Sequence, residues 1–573
     1  MKGKWFGFGC LTSILLLLAI IFVSFYSVNS YFSKYKGDKK KVADSTWLIL
    51  NLEKEVKEFS ELSEDIWGNE NNSVHNYIQV IDRAAEDNRI AGIILCPQYF
   101  SAGYSTLDQL MNSLQNFKAS GKPVYAYINS ITNRGYYIAS IADKVYLNPS
   151  ASAGILLTGI GGHILYYEQM LDKLGIEMQV IHAGKYKAAG EQFVRNEMSP
   201  EFRENLTSLY SDMYQQMLQT IADNRGIEVL DLRNLYEERD NIWINGQYSL
   251  KSGLVDELVQ YQDFLDMYNI EKTNKMDIID YPLPPRLVPD NKIAVLYAQG
   301  NITTQAGPAI DMITSAKLFK EIDQIEKNPK VKGIVLRINS PGGSALESDI
   351  ILNKLLKVQR TKPIVVSMGD VAASGGYYIA CSADYIYADP MTITGSIGVV
   401  SIFPNLNKMG DSIGVNSNSV RYGKYSDLLN VWEKPNAAEL SAMQSSMMGI
   451  YDEFKTHVAN GRDMTLNQVE SIAQGRVWSS KQAKDNGLID DIGNLNDAVD
   501  KAAEIAGISS FAIEYYPKQK SLMDLLLKEY FDIDMAVQVL SGKIEYLDIM
   551  KELEYLKSIK ADPRQTYCPV IVD

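Results

Sequence analysis

Short apolar runs alternate with longer amphipathic stretches along most of the chain, which predicts strands separated by helices. In the second half the order runs KGIVLRIN, SALESDIILNKLLKVQR, PIVVSM, GGYYIACSA and YIYAD. Runs rich in β-branched residues between amphipathic segments are typical of β-α-β units, in which helices cover a buried and mostly parallel sheet. The pattern therefore predicts an α/β fold.

The same pattern occurs twice, with matching letters. Gly92 aligns with Gly333 and Gly135 with Gly376, each pair 241 residues apart (333 − 92 and 376 − 135). A constant offset of this size indicates that a whole domain is duplicated, rather than a small solenoid unit. We expect five regions: an anchor with a basic link (1–45), an N-terminal repeat (46–280), a proline-rich linker (281–291), a C-terminal repeat (292–515) and a helical tail (516–573).

The first region predicts a transmembrane helix. No charged residue occurs from Trp5 to Ser33, and about 20 apolar residues span a bilayer core. The segment has no small-residue cleavage site, so we expect an uncleaved anchor. Its orientation is open on charge alone. Lys2 and Lys4 favour a cytoplasmic N-terminus, whereas the five lysines of KYKGDKKK (34–41) would keep the following side cytoplasmic.

Composition narrows the class of protein. The 573 residues are too many for one core and suit two or three domains. The net charge of −14 argues against nucleic acid as the main partner, because phosphate binding needs a basic face. The four cysteines and four histidines lack metal-ligand spacing, so the sequence predicts neither a metal nor another cofactor.

The two repeats differ at positions that can do chemistry, and the first is Ser374 in AASGGYY. The N-terminal repeat reads ITNRGYY there, with Asn133 at the aligned position. A serine at a strand-to-helix turn is expected to be exposed at the positive end of a helix, and the N–H of Gly375 can then stabilise an oxyanion. A helix-capping serine is the alternative. It is weakened because the first repeat dispenses with the serine and keeps the helical pattern.

A second difference is the loop INSPGGS (338–344), which follows a buried strand. Gly343 is its best candidate for a second oxyanion donor. An ordinary turn is the alternative. The first repeat reads PQYFSAG there and lacks the double glycine. Because one repeat has lost both this loop and the serine, we expect the two to serve one purpose.

The third difference is Lys187 in AGKYKAAGEQF, which aligns with Ser426 (426 − 187 = 239). Lys185 is repeated as Lys424 and fits a solvated surface, but Lys187 has no such counterpart. A lysine that acts as a general base must be neutral, and burial in an apolar pocket favours the neutral form. A serine–lysine pair needs neither histidine nor aspartate. A histidine base stays open, although neither repeat places one beside Ser374.

The motifs NSPGGS, AASGGYY, TGSIGV and YKAA…F…MS together resemble the signal peptide peptidase A family, in its long duplicated form. These are serine–lysine peptidases related to the Clp protease and crotonase fold. The resemblance covers the anchor, both repeats and the linker, and implies two tandem crotonase/Clp-like β-α-β repeat domains. It also implies five site residues: Ser374 as nucleophile, Lys187 as general base, Gly343 and Gly375 as the oxyanion hole, and Ser396 as the helper hydroxyl that holds the lysine amine.

Ser396 has an alternative as an ordinary turn serine. The first repeat carries Ile155 at the aligned place (396 − 241 = 155), which fits a helper that is needed only once.

The resemblance further implies a membrane-anchored serine endopeptidase that degrades remnant signal peptides and other unfolded apolar peptides. It implies a homotetramer whose catalytic body lies on the periplasmic side of the cytoplasmic (inner) membrane. Two other functions remain as alternatives. A crotonase-like acyl-thioester enzyme would want acidic residues in the site and has no need of an export anchor. A catalytically inactive scaffold would not need the serine, the lysine and the double glycine together.

Overall fold

A computed structural model describes residues 41–61, 73–239, 242–283, 288–304 and 312–519, and the backbone of Gln565–Tyr567. The apolar stretch expected to form the anchor lies outside these residues. Within the described ranges, no helix is both long and apolar enough to cross a membrane. Most of the expected helical tail also lies outside them, and Gln565–Tyr567 form a strand rather than a helix.

The first half of the chain contains ten strands and nine helices within the described ranges. The strands are β1 (Thr46–Glu55), β2 (Ile90–Ser101), β3 (Val124–Ile128), β4 (Ser130–Ile131), β5 (Lys144–Leu147), β6 (Gly154–Leu156), β7 (Glu177–Ala183), β8 (Trp243–Asn245), β9 (Glu257–Leu258) and β10 (Lys275–Asp277). The helices are α1 (Val74–Glu86), α2 (Tyr104–Ala119), α3 (Asn133–Ala139), α4 (Glu168–Lys173), α5 (Glu191–Val194), α6 (Pro200–Arg225), α7 (Val229–Glu237), α8 (Gly246–Lys251) and α9 (Tyr261–Met267), followed after β10 by a 3-10 turn (Ile278–Asp280).

The second half repeats this alternation. Its strands are β11 (Lys292–Gln299), β12 (Asn301–Ile302), β13 (Met312–Ile313), β14 (Val331–Ser340), β15 (Gly342–Ser344), β16 (Ile364–Ala373), β17 (Tyr385–Ala388), β18 (Ile393–Gly395), β19 (Val399–Asn405), β20 (Val477–Ser479), β21 (Asp491–Ile492), β22 (Ala512–Tyr516) and β23 (Gln565–Tyr567). Its helices are α10 (Ser315–Lys327), α11 (Ala345–Gln359), α12 (Gly375–Tyr378), α13 (Asn407–Ile413), α14 (Ala437–Gly461), α15 (Leu466–Ile472), α16 (Ser480–Asp485) and α17 (Leu495–Ile505).

The two halves have the same strand order, which confirms the α/β class and the duplication. The first sheet runs β10-β1-β2-β3-β5-β9, with every pairing parallel. In the second half the parallel series β22-β11-β14-β16-β17-β21 matches it strand for strand. The central strands are buried on both faces, because helices cover the sheets, and this is why they read as continuous apolar runs.

The two repeats also share a third sheet, ordered β13-β12-β15-β23-β19-β7. Strand β7 of the first repeat pairs antiparallel with β19 of the second over seven residue pairs, from Ala183↔Val399 to Glu177↔Asn405. This ladder fixes where the chain emerges from β7 relative to the second repeat.

A buried ion cluster forms a second link between the repeats. Arg337 on β14 is fully buried and pairs with Glu58 of the first repeat and with Asp389. It also donates to Ser367 Oγ at 2.7 Å and to the carbonyl of Met368 at 3.0 Å. Removing one member of such a group would leave a buried charge uncompensated, so the cluster holds the two repeats in one arrangement.

An aromatic cluster at the same interface encloses His75 on α1. Its ring lies 5.2 Å from that of Phe59 and 4.3 Å from that of Tyr515, measured between centroids. The hydroxyl of Tyr297 is 3.3 Å from His75 Nδ1. Burial in this cluster lowers the pKa of His75 to about 4. The imidazole is therefore neutral in the folded protein under conditions where an unfolded chain would protonate it.

We predict that His75 makes the fold sensitive to acid. The folded pKa lies below the unfolded value of about 6.5, so stability is intact above pH 6.5 and falls as the pH drops towards 4. At pH 4.5 the loss is about 3 kcal/mol. His75→Gln should therefore lose less stability than the wild type between pH 7.5 and 4.5, as measured by urea unfolding. His163→Gln, at an exposed histidine, is the control. An equal acid-induced loss in wild type and His75→Gln would contradict this.

Candidate active site

Ser374 lies between β16 and α12 in a strained backbone conformation. Its φ is 57°, in the left-handed region that residues with a side chain rarely adopt, and its N–H donates to the carbonyl of Gly395 at 2.8 Å. The sequence predicted an exposed serine. This is wrong, since the residue is 0% exposed and the Lys187 amine lies against its hydroxyl. The strained turn directs the hydroxyl inward.

Lys187 reaches this point from the first repeat, in the loop that follows β7. The N–H of Tyr186 donates to the carbonyl of Gln474 at 2.8 Å, which ties the loop to the second repeat. Gly475 permits the close approach, because a Cβ there would lie 2.5 Å from the Lys187 Cβ, and its φ is 78°. The segment around Gly475 is thus part of the site. Sequence reasoning missed it, although the glycine of AQGR, just after a helix, is a visible signal.

The amine of Lys187 sits among three oxygen atoms. Its Nζ lies 2.7 Å from Ser374 Oγ, 2.9 Å from the Ser396 carbonyl oxygen and 3.0 Å from Ser396 Oγ. The lysine is 2% exposed. A neutral amine has two N–H groups and one lone pair. Donating both N–H groups to Ser396 leaves the lone pair facing the Ser374 hydroxyl, so this geometry can accept a proton from it.

Ser396 is also held in an unusual conformation. It follows β18 with a φ of 51°, and its N–H donates to the carbonyl of Arg476 at 2.7 Å. Both serines around the amine therefore have left-handed backbones. Such strain persists only where the surrounding structure fixes it, and it is concentrated at functional sites.

The two glycines expected as oxyanion donors lie on adjoining elements. Gly375 is the first residue of α12, and Gly343 is in β15, which contacts that helix. Gly343 has a φ of 148°, and a Cβ there would be 2.0 Å from the carbonyl oxygen of Ile302. A side chain at that position would clash with β12, so the glycine lets β15 lie this close to its neighbouring strand.

The residues that align with the site in the opposite repeats do not come together as a second site. Asn133 donates to the carbonyl of Gly159 at 2.6 Å and to Thr158 Oγ1 at 3.0 Å, so its amide ties its own loop together. Ile155 is buried in the first core. Ser426, which aligns with Lys187, is exposed. Of the aligned positions, Ser374, Lys187 and Ser396 are therefore the ones that the structure brings together.

Comparison with known proteins identifies the family. The model of "Peptidase family S49" matches residues 116–275 and 357–509, and the Clp protease model matches residues 291–390. The chain belongs to peptidase family S49. Protease 4 of Salmonella typhi is 35% identical over 476 residues, covering 80% of this chain and 76% of that protein. "Serine protease SPPA, chloroplastic" of Arabidopsis thaliana is 33% identical over 497 residues, covering 82% and 72%.

Protease 4 of Haemophilus influenzae is similarly related, at 33% identity over 492 residues, 80% of this chain and 78% of that protein. The S49 peptidase described here is thus a serine protease with a duplicated, Clp-protease-like α/β fold. The family places it with peptidases rather than with acyl-thioester enzymes.

One further link behind the S49 site was not visible in the sequence. Asp370 lies on β16 four residues before Ser374, and burial raises its pKa. It accepts bonds from the hydroxyl of Thr106, at 2.5 Å, and from the N–H of Thr106, at 3.2 Å. Thr106 belongs to the first repeat, so this contact ties the strand that carries the serine to the opposite repeat.

One group of side chains has metal-ligand chemistry among the residues the structure describes. The ligand atoms of Asp349, Glu453 and His457 lie within 4.8 Å of one another. Asp349 already accepts from Asn353 and faces His457 Nε2 at 3.3 Å, and Glu453 is exposed. Asp349 and His457 thus contact each other, and the contacts described around Ser374 do not involve this group.

We predict that the close approach at Gly475 is required for peptidase activity. In Gly475→Ala the new Cβ would push the Lys187 backbone away, and a displacement of about 1 Å at a reacting group costs about 100-fold in rate. Peptide hydrolysis should fall by that order. Gly507→Ala is the matched control, because Gly507 also has a positive φ, 68°, but its Cβ would meet nothing within 4 Å. Equal activity in both variants would rule out this role for Gly475.

Proposed function

We propose that this S49 peptidase is a membrane-anchored serine endopeptidase with a Ser374–Lys187 dyad, which degrades remnant signal peptides and other unfolded apolar peptides. The observation that carries the proposal is the 2.7 Å contact between Lys187 Nζ and Ser374 Oγ, made by buried residues of different repeats. The complementary loss of these residues from the two repeats supports the same assignment.

In the proposed mechanism Lys187 takes the proton of the Ser374 hydroxyl as Oγ attacks the peptide carbonyl carbon. The N–H groups of Gly343 and Gly375 stabilise the oxyanion, and Ser396 holds the amine in position. The protonated lysine then gives its proton to the departing amine as the peptide bond breaks. Water enters, gives a proton to Lys187 and hydrolyses the acyl-serine, which restores the hydroxyl and the neutral amine.

The third sheet suggests how a substrate binds. Strands β15 and β19 lie on either side of β23 in its order. Strand β15 carries Gly343, and β19 pairs with the strand that leads to Lys187. We call the space between them the strand slot. An extended peptide can pair there through its backbone, and such recognition tolerates many sequences. A folded protein has no free strand of this kind, which favours unfolded substrates.

The membrane anchor, the periplasmic location and the homotetramer are also parts of the proposal. The uncharged segment from Trp5 to Ser33 supports the anchor. Large apolar side chains are exposed between Ile413 and Leu429, with Val420 and Tyr422 each 89% exposed, which supports a contact between copies of the chain. Digestion by protease added to spheroplasts tests the location, and sedimentation of the detergent-solubilised enzyme tests the assembly.

We predict that Ser374 and Lys187 act as one unit. Ser374→Ala and Lys187→Ala should each abolish hydrolysis of a fluorogenic peptide, and the double variant should be no worse, because residues that act together are not additive. The measurement is kcat/KM of the full-length enzyme, with thermal unfolding to show that each variant folds.

The matched controls for the dyad lie at the aligned positions of the opposite repeats. Asn133→Ala and Ser426→Ala should keep most of the activity, since neither side chain reaches Ser374. Retained hydrolysis in Lys187→Ala would refute the dyad.

We also predict selectivity for unfolded apolar peptides. The detergent-solubilised enzyme should cleave a synthetic signal peptide, and should cleave a reduced and unfolded test protein far faster than its folded form, because only extended chains fit the strand slot. Products are followed by mass spectrometry, with Ser374→Ala as the blank. Comparable cleavage of the folded and unfolded forms would contradict the proposal for substrates.

A further inference from the structure

We propose that Arg476 is a positioning residue for the dyad. Its guanidinium holds the ring of Tyr186, the residue directly before Lys187, and thereby fixes where the lysine amine lies. This inference rests on the proposed function, because it takes Lys187 to act on Ser374. The contacts described for the Arg476 side chain do not include either member of the dyad, so the arginine would act through its neighbours.

The guanidinium of Arg476 lies against two aromatic rings and one carboxylate. Its Cζ is 4.9 Å from the ring centroid of Tyr186 and 4.6 Å from that of Trp478. Its Nη1 lies 3.1 Å from a carboxylate oxygen of Glu204, which is on α6 of the first repeat. A planar guanidinium can stack on a ring and pair with a carboxylate at the same time. We call these four side chains the arginine clamp.

The backbone of the same segment contacts both sides of the lysine amine. The carbonyl of Arg476 accepts from the N–H of Ser396 at 2.7 Å, and the carbonyl of Gln474 accepts from the N–H of Tyr186 at 2.8 Å. These two carbonyls are only two residues apart in the chain. One short segment therefore sets the position of the helper hydroxyl and of the loop that carries Lys187.

Helix α6 anchors this segment to the first repeat. Glu204 pairs with the Arg476 side chain, and the next residue, Asn205, is buried and bonds to both backbone groups of Val477. Asn205 Nδ2 donates to the Val477 carbonyl at 2.8 Å, and Oδ1 accepts from its N–H at 2.9 Å. The side chain of Arg476 thus links α6 to the lysine loop through the ring of Tyr186.

The two repeats differ at this position, as they do at the dyad. Trp243 aligns with Trp478 (478 − 243 = 235), which places Asn241 opposite Arg476 (476 − 235 = 241). An asparagine has no cation to place on a ring. Of the two aligned positions, the arginine therefore stands in the repeat that faces Lys187, where a residue that positions this lysine is needed.

A lysine amine depends on such support. The ammonium or amine of a lysine is carried on a flexible four-carbon stem, so its position is set by the backbone and by the groups around it. A displacement of about 1 Å at a reacting group costs about 100-fold in rate. Loss of the clamp should therefore affect the chemical step. Substrate binding should change little, because the strand slot lies on β15 and β19.

The first test is a kinetic comparison in the full-length enzyme. Arg476→Ala should lower kcat for a fluorogenic peptide about 10- to 100-fold and change KM by less than about two-fold. The matched control is Lys501→Ala on α17. Lys501 is 22% exposed, against 20% for Arg476, lies 4.9 Å from the ring centroid of Tyr385, and pairs with Glu504 at 2.7 Å. It should keep the wild-type kcat.

Thermal unfolding shows whether both variants are folded at the assay temperature. Equal losses of kcat in the two variants, or a rise in KM alone for Arg476→Ala, would overturn the inference.

The second test asks whether Arg476 acts through Tyr186. Tyr186→Phe keeps the ring and should keep most of kcat, whereas Tyr186→Ala should lose about as much as Arg476→Ala. The double variant should be no worse than either single variant, because residues that act together are not additive. Lys185→Ala should be silent, although Lys185 lies 4.8 Å from the same ring centroid, because it is exposed. Losses that multiply in the double variant would overturn the inference.

Hydrogen exchange separates this inference from the proposed function, since it needs no catalysis. In the Ser374→Ala enzyme, adding Arg476→Ala should raise amide exchange within residues 184–190 about ten-fold, and adding Lys501→Ala should not. Unchanged exchange in this loop would overturn the inference. Full hydrolysis by Lys187→Ala would instead refute the proposed function, while faster exchange in the Arg476 variant would still show that the clamp holds the loop.

Discussion

The antiparallel ladder between β7 and β19 is the interaction on which the site depends. Lys187 and Ser374 belong to different repeats, and the seven residue pairs of this ladder set the register between the strand before the lysine and the second repeat. A shift by one residue would turn every side chain of β7 to the opposite face. The site therefore exists only when the two repeats are docked in this register.

Buried polar contacts make that docking rigid. Arg337 pairs with Glu58 across the interface, and Thr106 holds Asp370 on the strand that leads to Ser374. Each contact is costly to break, because it would leave a charge or a polar group buried without compensation. A rigid frame of this kind can maintain the left-handed backbone of Ser374, which an isolated turn would relax.

Duplication has divided the chemical groups between two similar folds. In the first repeat Asn133 now ties its own loop, whereas in the second repeat Ser426 is solvated. Each repeat keeps one half of a serine–lysine pair. The shared sheet between them also provides the strand slot, so the proposed substrate path depends on the same interface.

The sequence by itself determined the α/β class, the duplication and the serine, lysine and glycines at which the repeats differ. Periodicity and the match between the two repeats can be read directly from the order of the residues. It predicted Lys187 beside Ser374 only through the comparison of the repeats and through a family resemblance. The tertiary structure decided the burial of Ser374, the fit of Gly475 against the lysine loop, the Thr106–Asp370 link and the place of β23. Each of these joins residues about 100 or more positions apart, and such contacts depend on packing and register that no local pattern encodes.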